Sequence, residues 1–123
     1  MSNTALIIED HPDNMELISF ILEKHGYRTL KAVRGEEGVA MAIEQRPDFI
    51  ILDIQLPDIN GLEVARRIRA SPVDGTIPII AMTSYAMLGD REELLAAGCD
   101  GYIEKPIDVR LVMQQIRAVI DEA

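Results

Sequence analysis

Four short apolar runs punctuate the chain: Ala5-Leu6-Ile7-Ile8, Phe49-Ile50-Ile51-Leu52, Ile77-Pro78-Ile79-Ile80-Ala81-Met82 and the weaker Tyr102-Ile103. The first three are too short for helices, rich in β-branched residues and without polar alternation, which is the pattern of strands buried on both faces. Residues 27–32 form a poorer run, carrying Arg28 and Lys31, and predict a strand at a sheet edge. Between the runs the spacing turns helical. Residues 14–25 place Leu17, Ile18, Ile21 and Leu22 on one stripe and stop at Gly26. Residues 36–46 carry Val39, Ala40 and Ile43 and are closed by Pro47, and residues 62–70 carry Val64, Ala65 and Ile68. Residues 91–97 carry Leu94 and Leu95 and end at Gly98. Residues 108–121 carry Leu111, Val112, Ile116, Val119 and Ile120, with Asp108 as the expected N-cap.

Strands alternating with helices predict an α/β fold: a doubly wound, five-stranded parallel sheet with five helices on its two faces. Residues 1–123 are spent on this one unit, with no linker, repeat or low-complexity segment, and so predict one domain. Sheets of this kind take their ligands beyond the carboxyl ends of the strands.

Composition narrows the functional classes. The 21 acidic and 12 basic residues give a formal net charge of −9, which repels nucleic-acid phosphate and argues against direct nucleic-acid binding. No apolar run approaches the roughly 20 residues of a membrane helix, so membrane insertion is not expected. Cys99 is the one cysteine, which excludes a disulfide scaffold and a cysteine zinc site and fits the cytoplasm.

The strand-end rule then selects the chemistry. The first strand runs out at Glu9-Asp10, the third at Asp53, the fourth at Thr83-Ser84 and the fifth at Glu104-Lys105-Pro106. Three carboxylates converging on one edge raise one another's pKa, and a hard divalent cation such as Mg²⁺ relieves them. Lys105 offers a compact positive charge and Thr83 a hydroxyl, both suited to an anion. Carboxylates for a metal with a lysine for an anion point to phosphoryl chemistry, and Asp53, ending the central apolar strand, is the natural carboxylate nucleophile.

At these residues the chain closely resembles the receiver domain of bacterial two-component response regulators, the CheY-like type, over essentially its whole length. The matching motifs are Ile7-Ile8-Glu9-Asp10, the segment Leu52-Asp53-Ile54-Gln55-Leu56-Pro57-Asp58-Ile59-Asn60-Gly61, Ile80-Ala81-Met82-Thr83-Ser84, and Gly101-Tyr102-Ile103-Glu104-Lys105-Pro106. Four such motifs in this order, each at a strand end, are specific. Residues 85–90 with Cys99-Asp100-Gly101 look like the single-domain regulators and the receivers of hybrid kinases.

The resemblance implies the flavodoxin-like strand order 2-1-3-4-5 and a cis Lys105-Pro106 bond. It implies that Asp53 accepts a phosphoryl group from a sensor histidine kinase or a histidine phosphotransfer protein. Mg²⁺ would be held by Asp10, Glu9, Asp53 and the backbone carbonyl of Gln55. Thr83 and Lys105 would engage the phosphoryl group, Tyr102 would be an aromatic switch, and Gln55 and Tyr85 would modulate its lifetime. Glu9 stands where aspartate is commoner and still supplies a carboxylate. The output face is expected along helix four, strand five and helix five, read by a downstream protein target, and the chain is expected to promote its own phosphorylation and dephosphorylation without being a conventional enzyme. On the first helix, Met15 and Phe20 lie off the core stripe and are expected to form an exposed apolar patch for the phosphodonor.

Two other readings compete. An aspartate-nucleophile phosphatase commonly carries a second aspartate two residues after the nucleophile, where this chain has Gln55. A non-phosphorylated binding scaffold has no need of the acidic pair, Asp53, Thr83 and Lys105 together. The stretch Asp58-Ile59-Asn60-Gly61 is not a calcium loop, since that pattern needs acids where Leu56 and Arg67 stand, and it reads as a turn into the third helix.

Overall fold

The structure, a computed structural model, describes residues 3–71, 77–84 and 88–122. Five strands alternate with five helices: β1 (Thr4–Ile8), α1 (Pro12–Lys24), β2 (Arg28–Ala32), α2 (Gly35–Gln45), β3 (Phe49–Asp53), α3 (Gly61–Ala70), β4 (Ile79–Thr83), α4 (Leu88–Ala97), β5 (Gly101–Glu104) and α5 (Val112–Glu122). The strands form one parallel sheet in the order β2-β1-β3-β4-β5. This is the doubly wound, flavodoxin-like arrangement expected for a receiver. The charged run at 28–32 is indeed an edge strand, where its polar groups meet solvent.

The period-2 alternation of each strand serves two cores. Leu6, Ile8, Ile50, Leu52, Ile79 and Ala81 face α2, α3 and α4, meeting Ala42, Val64, Ile68 and Leu94. Ala5, Ile7, Phe49, Ile51, Ile80 and Met82 face α1 and α5, meeting Ile18, Leu22, Val112 and Ile116. All five residues of β3 and all five of β4 are buried, which is why these runs carry no alternating polar residues.

Several helix faces differ from expectation. In α1 the buried stripe is Met15, Ile18 and Leu22, spaced i, i+3 and i+7, so Met15 belongs to the core and Leu17 sits half-buried at its edge. In α4 Leu94 is buried and Leu95 exposed, and before α5 Leu111 is exposed. The last helix starts at Val112, later than expected: Asp108 accepts Arg110 N–H on its side chain and Leu111 and Val112 N–H on its carbonyl, a turn that leads into the helix.

The largest difference is α2. Its buried positions are Gly35, Gly38 and Ala42, while Ala40 and Ile43 face solvent. A hydrophobic pattern does not register glycine, yet glycine is what brings α2 close to the sheet. A Cβ on Gly38 would stand 2.5 Å from Cδ1 and 2.7 Å from Cγ1 of Ile8, a fully buried side chain with no room to yield. Gly38→Ala is therefore expected to destabilise the fold by about 1–3 kcal/mol through overpacking, reversing the gain of roughly 0.5–1 kcal/mol usual for glycine to alanine inside a helix. Urea unfolding measures this; a variant as stable as the parent or more so would contradict the close approach of α2 to β1.

Candidate functional site

Register brings the site together before any side chain is considered. Ile8 pairs with Leu52, so Glu9 and Asp53, the next residues on β1 and β3, lie side by side. Asp53 pairs with Met82, and Thr83 pairs with Glu104, which puts Thr83 and Lys105 one position beyond on the neighbouring strands. The chain is anchored at each exit: Glu9 N–H donates to Ala32 O at 3.0 Å, Ile54 N–H to Met82 O at 3.3 Å, and Lys105 N–H to Thr83 O at 2.9 Å. The Lys105-Pro106 peptide is cis. Gly61 closes the loop after β3 with an N–H bond to Ile54 O, and a Cβ there would sit 2.6 Å from Asp53 O, so only glycine lets α3 begin against the back of Asp53.

Glu9, Asp10 and Asp53 each present a carboxylate oxygen, all within 4.8 Å of one another. Glu9 is fully buried and Asp53 is 2 % exposed, while Asp10 faces solvent. Lys105 Nζ lies 2.8 Å from Asp53 Oδ1 and 3.9 Å from Glu9 Oε1. Gln55 N–H also donates to Asp53 Oδ1, at 3.1 Å. Glu9 Oε2 accepts His11 N–H at 3.1 Å, whereas Glu9 Oε1 is buried with no hydrogen-bond partner among the described residues. Burial, and then the contact with Asp53, pushes the Glu9 carboxyl up from 4.5 to about 7, against the pull of the His11 N–H. Three carboxylates with an unsatisfied buried oxygen and one nearby lysine form an oxygen-only donor set, which fits a hard divalent cation such as Mg²⁺.

The structure brings Glu9, Asp10, Asp53, Thr83, Lys105 and the start of the Gln55 loop to one edge. Thr83 is buried at the end of β4. Tyr102 stands apart from that cluster on β5, half-buried, with its ring against the α2–α4 core. Its hydroxyl accepts from Arg91 Nη2 on α4, and the Arg91 guanidinium carbon lies 5.2 Å from the ring centroid. Tyr85 lies outside the described residues. Of the two residues expected to form an apolar patch, Phe20 is 62 % exposed, but Met15 is only 8 % exposed and packs with Ile18 and Leu22. Burial pushes the Cys99 thiol up to about 12, so it is an inert core group.

Two bracing residues are not singled out by the sequence. Arg91 holds Tyr102, and no spacing relates the two. Asp58, read as a turn residue, reaches from the loop after β3 to accept N–H bonds from Gly35 at 2.7 Å and Glu36 at 2.9 Å, the first residues of α2. The absence of a capping side chain at Arg34 was the available signal that something else must cap α2.

Known proteins give the geometry its context. The response regulator receiver domain profile matches residues 5–117. The polar-differentiation response regulator DivK of Brucella anthropi is 39% identical over 123 residues, covering 100% of both chains, and that of Brucella ovis is 38% identical over the same span. Among solved structures, a CheY-like receiver domain protein from Methanospirillum hungatei superimposes with TM-score 0.90 at 30% identity, covering 99% of this chain and 96% of that one. The receiver domain of a sensor histidine kinase from Pseudomonas aeruginosa, which carries a magnesium ion in its active-site cleft, does so with TM-score 0.88 at 35% identity, covering 98% and 99%. No helix among the described residues is long and apolar enough to cross a membrane. A profile match spanning the sheet, relatives matched from end to end and an acidic cluster where receivers bind Mg²⁺ place this chain in the response regulator receiver family, whose role is phosphorylation-dependent signalling.

Proposed function

We propose that residues 1–123 act as one receiver unit in the cytoplasm, with Asp53 as the phosphoacceptor. The observation that carries this is the 2.8 Å contact of Lys105 Nζ with Asp53 Oδ1 beside two further carboxylates. An Asp53 carboxylate oxygen attacks the phosphorus of a phosphohistidine on a sensor kinase or phosphotransfer protein. The P–N bond breaks, its electron pair leaves with the imidazole nitrogen, and an acyl phosphate remains on Asp53. Glu9, Asp10, Asp53 and the Gln55 backbone carbonyl are the residues to hold Mg²⁺, which when bound neutralises charge on the phosphoryl oxygens. Lys105 exchanges its carboxylate partner for a phosphoryl oxygen, and the Thr83 hydroxyl donates to another. Gln55, two residues after the phosphoacceptor, governs the approach of water to the acyl phosphate. Later hydrolysis adds water at phosphorus and returns the free carboxylate and inorganic phosphate.

The added charge draws Thr83 and Lys105 inward. Tyr102 then turns toward the space Thr83 leaves and gives up its hydrogen bond to Arg91, which loosens α4 from β5. A downstream protein reads the resulting α4–β5–α5 face. The phosphodonor docks beside the site on α1, where exposed Phe20 lines a shallow groove with Leu17, Ile21 and Val109. Met15, buried in the core, has no part in that surface.

The direct test is labelling by a small phosphodonor with Mg²⁺. Wild type should take up one acyl phosphate, and Asp53→Asn, which keeps the shape and removes the nucleophile, should take up none. Equal incorporation by the two proteins would overturn the assignment.

Phe20→Ser tests the docking surface. Phosphotransfer from the protein donor should weaken about tenfold, the equivalent of one lost apolar side chain in an interface, while labelling by the small donor stays the same. Equal loss with both donors would remove α1 from the interface.

Glu9 gives a pH-dependent expectation in metal-free buffer. Its folded-state pKa of about 7 exceeds the ordinary 4.5, so the folded chain holds that proton more tightly. The associated stability is fully present below about 4.5 and is lost as pH rises through about 7. Glu9→Gln, neutral throughout, should match wild type near pH 4 and exceed it in stability near pH 8. Denaturation with a chelator at the two pH values reads this, and a difference independent of pH would contradict the burial of an ionisable Glu9.

A further inference from the structure

Asp58 is the loop residue whose contacts the mechanism above does not use. It lies five residues beyond the phosphoacceptor, at the tip of the segment between β3 and α3, yet both oxygens of its carboxylate bind backbone N–H groups of another element, Gly35 at 2.7 Å and Glu36 at 2.9 Å. These are the first two residues of α2, whose own preceding residue, Arg34, supplies no side-chain cap. A carboxylate spanning two N–H groups at a helix start is favoured by both hydrogen bonding and the helix dipole. The Glu36 N–H, foremost among these bonds, holds the Asp58 carboxyl down to about 2, so it is charged at any physiological pH. Beside it, Ile59 packs so closely on α2 that a Cβ at Gly35 would stand 2.5 Å from Ile59 Cγ1.

These contacts close a ring around the acidic edge. Glu9 N–H binds Ala32 O at the end of β2, and three residues later the chain reaches Gly35. Asp58 takes Gly35 and Glu36 back to the loop after β3. The base of that loop is fixed by Gly61 N–H on Ile54 O and by Gln55 N–H on Asp53 Oδ1. Gln55 thus sits between a pinned base and a pinned tip. The Glu9-Asp10 segment and the Gln55 segment, which lie on different loops, are referenced to each other through α2.

We infer that Asp58 is a positioning residue for divalent-metal binding: by tying the β3–α3 loop to the start of α2, it fixes the Gln55 backbone relative to Glu9 and Asp10. The inference rests on the magnesium reading proposed above. Partners that orient a ligand from behind typically alter metal affinity by tenfold or more when removed, so Asp58→Ala should weaken Mg²⁺ binding by about tenfold. Asp58→Asn keeps one acceptor oxygen and should fall between Asp58→Ala and wild type.

Calorimetric titration of the full chain with MgCl₂ tests this. Asp48→Ala is the control, since Asp48 makes a comparable carboxylate-to-backbone bond, 2.6 Å to Thr4 N–H, at the opposite end of the sheet. It should cost stability and leave Mg²⁺ affinity unchanged. Wild-type affinity in Asp58→Ala, or an equal loss in Asp48→Ala, would reduce Asp58 to a helix cap and overturn the inference. If Asp58→Ala does not fold, Asp58→Asn decides alone: weakened binding supports the positioning role and wild-type binding refutes it. Failure of the wild-type chain to bind Mg²⁺ at all would overturn the metal reading itself, and this inference with it.

Discussion

Two carboxylates at the ends of neighbouring parallel strands, both removed from water, are the constraint on which the site depends. Glu9 and Asp53 follow the paired residues Ile8 and Leu52, and their burial forces them to share the 2.8 Å and 3.9 Å contacts of Lys105. One lysine stands against two buried acids and the adjacent Asp10: burial first, and then the contact with Asp53, raises the pKa of Glu9, and Glu9 Oε1 has no hydrogen-bond partner among the described residues. A fold does not keep such an arrangement for stability. It suits a site that receives a divalent cation and then a phosphoryl group, where Lys105 moves from one anion to another.

The scaffold contributes rigidity at the points where the charges are placed. β3 and β4 are buried along their whole length, so Asp53 and Thr83 leave the core at fixed heights. Gly61 lets α3 begin against the backbone of Asp53, and Gly38 lets α2 close on Ile8 just before Glu9. The mobile part of the proposed switch lies on the other side of the sheet axis, where Tyr102 is held to α4 through Arg91. In the proposed mechanism the rigid half positions the chemistry and the half built from α4 and β5 reports it.

Much of this was legible in the sequence, for a physical reason. Strand runs buried on both faces are continuous and apolar, so their ends are unambiguous, and chemistry in such folds gathers at those ends. That rule puts Glu9, Asp10, Asp53, Thr83 and Lys105 at one edge, where the structure brings them together. What was missed depends on contacts between elements or on residues that hydrophobic patterns do not weigh. The α2 face is made of Gly35, Gly38 and Ala42, so its exposed Ile43 looked like core. A stripe through Leu17 leaves Met15 on the surface, because it runs one position away from the buried i, i+3, i+7 set. Asp58 and Arg91 act across 22 and 11 residues of sequence, distances at which no local pattern operates.

A cation-binding acidic centre at the carboxyl edge of the sheet differs from a cluster of solvated surface acids in where it responds to metal. Backbone amide NMR of the isotopically labelled chain, followed through a titration with MgCl₂, tests it residue by residue. A metal centre there gives saturable shifts concentrated at residues 9–11, 53–55 and 105, with the amides of Glu63 on α3 and Glu16 on α1 nearly unmoved. Shifts that fail to saturate, or that spread evenly over the exposed acids of the helices, would contradict it.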